Sequence, residues 1–166
     1  NRPQATYAIS SEALPIIRDT AEALACRVFL GESTDSPTLR EAADYLMQYP
    51  PQWHRENLYY WYYGTVACFQ MGGDYWQRWN NSLRDILIEH QARDGHAAGS
   101  WDPNPTLDTW GKEGGRVYST ALATLCLEVY YRFLPIQSLT SGDPPTNDPA
   151  PRPASVDALR QSGRAN

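Results

Sequence analysis

Three groups of residues in this chain have the types and spacing to do chemistry. His54, Arg55 and Glu56 stand together just ahead of a helical stretch, and Arg116 and Tyr118 open another. With Asp19 they offer the charges and the phenol of a binding mouth, or equally of salt bridges and helix caps. The run Tyr59, Tyr60, Trp61, Tyr62, Tyr63 offers ring faces that suit an apolar chain or a carbocation. Successive rings on a helix point in all directions, so only two of the five, such as Tyr59 and Tyr62, can face one cavity while the rest pack between helices. Asp102 lies with Asp108 and Trp110 in a long loop, the usual seat of functional residues, where it is a candidate acid. The same Asp102-Pro103-Asn104 also reads as an Asx-turn.

Other chemistries lack their residues. A metal needs three or four converging ligands, yet His54, His90 and His96 are scattered and Cys26, Cys68 and Cys126 sit in apolar helical runs. The expected use of those cysteines is burial, and of His90 packing. No Gly-x-Ser-x-Gly element is present, and Gly114-Gly115 is too short to cradle phosphates. No metal and no cofactor is expected.

The elements that must position these residues are helices. Apolar residues recur at helical spacing over about 15–30, from Ser36-Pro37 to Pro50, over 57–71, over 74–91 and over about 117–134. Ser36 is a natural N-cap with proline in the first turn, Gly72-Gly73 stops the third helix, and the fourth gathers Trp76, Trp79, Leu83, Ile86, Leu87 and His90 on one face. From residue 137 onward the chain is rich in Pro, Asp and Ser and reads as a disordered tail, which leaves 1–136 as one domain.

Bulk properties exclude two classes. The 166 residues carry a net charge of −5 and no basic run, which argues against a nucleic-acid partner. No uncharged segment is long enough for a transmembrane segment. No secretory leader pattern is visible, and the compartment stays open. The composition, 42% hydrophobic and 20% charged, is that of an ordinary globular domain.

The helices repeat. Thr20, Ala21, Ala23 and Cys26 of the first match Thr120, Ala121, Ala123 and Cys126 of the fifth, and Thr65 and Cys68 place the third in the same frame. Helices one, three and five are then equivalent, with two and four between them, as in stacked helix–turn–helix units. The loop "HQARDGHAAGSWDP" fits this scheme as a clasp. Gln91 hydrogen-bonds orphan backbone groups at a neighbouring helix end, Asp94-Gly95 turns the chain, and Trp101 packs over the glutamine and shields its bonds.

Gln91, Asp94, Gly95, Gly99, Ser100 and Trp101 resemble the Gln–Trp (QW) repeat of squalene and hopene cyclases and related terpenoid cyclases. The usual compact form is lengthened here by "HAAG" before Ser100. Together with "RENLYYWYYGTVACFQMGGDYWQRWN" and "GGRVYSTALATLCLEVYYRFLP", it is similar to bacterial prenyltransferase/squalene-oxidase repeat proteins over roughly 14–136. The resemblance implies an all-α architecture, a segment of an α/α toroid, in which the equivalent helix starts converge on one mouth. Five helices make about half a ring, so another segment or another chain would have to close it. The family's Asp-x-Asp-Asp acid and its Asp/Cys/His zinc set are missing. The resemblance therefore implies a non-catalytic repeat module that binds a partner protein or an apolar small molecule on its concave face. The alternative is a fragment of a cyclase or prenyltransferase-like enzyme whose acid or metal ligands lie upstream.

Overall fold

The structure, a computed structural model, describes residues 17–132 apart from Thr109. Those residues are all-helical, with no strand among them. Helix α1 spans Ile17–Phe29, α2 Pro37–Met47, α3 Leu58–Met71, α4 Gly73–His90, α5 Gly111–Leu127 and α6 Val129–Arg132. Single 3-10 turns stand at Trp53–Arg55 and Gly95–Ala97. The expected tail, and the start of the first helix before Ile17, lie outside the described residues.

Local residues set both ends of α3 and the start of α4. Asn57 caps α3, its Oδ1 accepting the Tyr60 N–H at 2.9 Å. Gly72 and Gly73 have φ of +68° and +49°, which lets one glycine pair end α3 and start α4 with no loop between. Ser36 stands at the N-cap of α2, but its hydroxyl donates to Glu32 at 2.8 Å instead of capping.

The fifth helix differs from its expected span. Its helical residues begin at Gly111, and the backbone breaks at Gly115, where φ is +56° and ψ −156°. The periodic run expected from residue 117 is therefore preceded by a separate turn. At Glu128 the chain leaves the helix again, with Tyr131 N–H bonded to the Glu128 carbonyl in a tighter turn. One long helix to residue 134 is thus replaced by α5 and the short α6.

The core is built on α3. This helix packs extensively against α1 on one side and α5 on the other, while α1 and α5 scarcely touch. Helix α2 packs against α1, α3 and α4, and α4 against α3. Leu24, Leu39, Leu46, Leu58, Trp61, Trp79, Leu83 and Leu87 are fully buried. Each such leucine contributes about 1.5–3 kcal/mol by leaving water. The α3–α4 approach depends on Gly64, because a methyl there would overlap the indole of Trp79, whose Nε1–H donates to Thr65 Oγ1 at 2.9 Å.

Burial of the cysteines holds for Cys68 and Cys126 but not for Cys26, which is exposed. Cys26 lies on the side of α1 opposite the buried stripe Thr20, Ala21, Leu24, Ala25 and Val28. No helix among the described residues is long and apolar enough to cross a membrane.

Candidate functional site

Two buried carboxylates, Glu56 and Asp108, lie where the long loop meets the heads of α3 and α5. Asp108 is the centre. Its Oδ2 accepts the Leu58 N–H at 2.5 Å, and its Oδ1 accepts the Trp110 N–H at 3.1 Å and the Tyr118 hydroxyl at 2.7 Å. A buried carboxylate at the first turn of α3 meets both the free amides there and the positive end of the helix. Asn57 adds a second tie from the same turn, donating to the Leu107 carbonyl at 3.1 Å.

Glu56 sits beside this centre at 3% exposure, and its Oε1 has no hydrogen-bond partner. Burial first, and the Asp108 carboxylate second, push its carboxyl up to about 7, against the opposing pull of the Asn104 amide. The Tyr118 phenol is likewise raised, chiefly by burial and by Asp108. Tyr59 donates to Glu22 Oε2 at 3.1 Å, and its phenol is raised by burial and by neighbouring Tyr63. Glu56 and Tyr118 of the expected mouth therefore meet at Asp108, a loop residue, and Tyr59 of the aromatic run lies near Tyr118.

The remaining expected members lie elsewhere. His54 and Arg55 form the exposed 3-10 turn before α3. Asp19 is buried in the first turn of α1, with Oδ1 paired to Arg18 at 3.1 Å and Oδ2 unpartnered. Arg116 turns to the loop, donating to Ser100 Oγ at 2.8 Å and pairing with Asp102. Asp102 is thus an exposed ion-pair partner. The Asx-turn expected at Asp102 is formed by Asn104, whose Oδ1 accepts the Thr106 and Leu107 N–H groups. Tyr62 is half-buried beside Cys126 and Arg132, its phenol raised by burial against the opposing Arg132 charge.

The Gln91–Trp101 loop closes on itself. Gln91 is the C-cap of α4, and its amide donates to the Gly99 carbonyl at 2.9 Å, within its own loop rather than at a neighbouring helix end. Ala92 N–H bonds Ser100 O, and Gly99 N–H bonds Ala92 O. Gly95 and Gly99 take φ of +69° and +83°, while Asp94 is exposed and makes no cap. The buried Trp101 indole does the tying itself: Nε1–H donates to the Leu87 carbonyl near the end of α4 at 2.8 Å. Its backbone N–H reaches Thr120 Oγ1 on α5 at 3.3 Å.

His90 stacks on Trp53 with ring centroids 3.9 Å apart, and its Nδ1 lies 3.0 Å from the Ile86 carbonyl. Among the described residues no three His, Cys, Asp or Glu side chains converge as metal ligands do. Burial pushes the Cys126 thiol up to about 12 and raises Cys68 as well, which leaves both poor nucleophiles. No family model, curated protein or solved structure matches this chain.

Proposed function

We propose that this chain is a non-catalytic helical repeat module of the squalene cyclase/prenyltransferase kind, a segment of an α/α toroid. Its aromatic face takes up an apolar ligand or the apolar surface of a partner protein. The observation that supports this reading most is the place of α3 between α1 and α5, two helices of matching sequence that scarcely touch each other. Helices stacked in a row meet only their neighbours. On α3 the half-buried rings of Tyr59, Tyr62 and Tyr63 lie edge to face or tilted against one another, with centroids 4.9 and 5.2 Å apart. They supply area at little entropic cost. At the head of α3 Asn57 and Asp108 cap free amides, and Arg116 of α5 pairs with Asp102, which fits a scaffold better than a reaction centre.

The test is a titration of the protein with an isoprenoid alcohol such as farnesol, followed by its intrinsic fluorescence. Saturable quenching is expected, weakened at least about tenfold in Tyr62→Ala. A response without saturation, or one that Tyr62→Ala leaves unchanged, removes the ligand-binding reading. A second reading, a fragment of a terpenoid cyclase or prenyltransferase-like enzyme, is favoured by Glu56 alone. A buried carboxyl raised to about 7, with one oxygen unpartnered, has the properties of a general acid.

A further inference from the structure

Helices α1 and α5 match in sequence at positions 100 residues apart, yet apart from Asp19 and Ser119 they bury different positions. On α1 the buried stripe is Thr20, Ala21, Leu24, Ala25 and Val28, facing the helices it packs against, α3 and α2. The same positions on α5 are Thr120, Ala121, Thr124, Leu125 and Glu128, and none of them is buried. Four of these, with Ser100, Arg116 and the 82% exposed Val117, line an open and almost wholly apolar groove of about 650 Å³.

The other side reverses the pattern. On α5 the buried residues Ser119, Ala123 and Cys126 face α3, where Thr65 and Tyr62 lie against Cys126. Their counterparts on α1 are Asp19, Ala23 and Cys26, of which Asp19 is buried, Ala23 half-buried and Cys26 exposed. Leu30, one turn beyond Cys26, is 86% exposed. On α1 the side that carries Thr20 and Leu24 is covered, and on α5 the side that carries Ala123 and Cys126 seats on α3. Among the described residues the side of α5 that corresponds to the covered stripe of α1 is open, and beyond the buried Asp19 the opposite side of α1 is open at Cys26 and Leu30. This side of α1 carries Ala23 and Cys26 in the register of the Ala123 and Cys126 that face α3.

We propose that a second copy of this chain docks head to tail, the Cys26 side of its α1 laid in the groove along α5. The inference rests on the repeat reading above and extends the existing α1–α3–α5 contacts by one step. Small side chains at the contact allow close helix approach. Such an interface is heterologous, so it grows into a ring or an open row instead of stopping at a symmetric dimer.

Sedimentation over a wide concentration range, with Ala121→Arg and Cys26→Arg, tests this. Both positions are exposed and Arg is a good helix former, so circular dichroism should show both variants folded. The unaltered chain is expected to associate with rising concentration. Each variant alone should lose association by at least about tenfold. Mixed, the two should form a one-to-one pair and nothing larger, because one keeps a free α5 and the other a free α1. In the unaltered chain the Cys26 thiol, the only exposed one of the three, should react more slowly with a thiol reagent as association proceeds. A chain that stays monomeric at every concentration overturns the proposal. So does an Ala121→Arg effect without a Cys26→Arg effect, which indicates a symmetric α5–α5 dimer, or a mixture that forms no pair. Tyr62 is altered in neither variant, so farnesol binding retained in a monomeric chain would remove this inference and leave the ligand reading standing.

Discussion

At the scale of single residues, Glu56 and Asp108 show how the fold sets the chemistry of a side chain. Both are carboxylates at the head of α3, yet Asp108 has three donors and Glu56 has one oxygen with none. Burial therefore falls harder on Glu56, and its carboxyl rises from 4.5 to about 7. A folded-state value above the unfolded one means that the folded state holds the proton more tightly. The contribution to stability is present in full below about 4.5 and is lost as pH rises through about 7. Glu56→Gln keeps the shape and never ionises. Urea midpoints taken from pH 4 to pH 8 should therefore fall with pH in the unaltered chain and fall less in Glu56→Gln. Parallel curves for the two would show that Glu56 titrates normally.

At the scale of elements, the loop from Gln91 to Trp101 decides how α4 is tied to α5. The sequence made its residues visible, since a tryptophan after a Gly-Ser turn is conspicuous, but it misassigned the bonds. The glutamine serves the loop, and the indole serves the helix end. Trp101→Ala removes a buried ring together with the partner of the Leu87 carbonyl, so a loss of about 3–5 kcal/mol is expected from chemical unfolding. Trp101→Phe keeps the ring and leaves the carbonyl without its partner, and should cost about 1–3 kcal/mol. Equal losses in the two variants would mean that packing contributes little and the hydrogen bond nearly everything. The break at Gly115 belongs to this scale too. A glycine pair reads as a lead-in to a helix, but whether residues before it coil depends on the space beneath Gly111, which the Asn104 carbonyl fills closely enough to exclude a side chain.

At the scale of the whole molecule, α3 is the helix that the others surround, and its amides should exchange most slowly in hydrogen-exchange measurements. Amides of α1 or α5 that outlast those of α3 would contradict this arrangement. The order of residues alone settled the helical class, most of the helix limits and the buried face of α4, because 3.6-residue periodicity, proline and glycine act over a few positions. It also marked Glu56 and Tyr118 as candidates without showing that Asp108 joins them. Asp108 reaches Leu58 across 50 residues of chain, and no local pattern encodes such a distance. The same holds for which side of each repeated helix is covered. Thr20 and Thr120 stand in like sequence, and one is buried while the other lines an open groove, because α3 lies against different sides of their two helices. Burial is a property of neighbours, and neighbours exist only once the chain has folded.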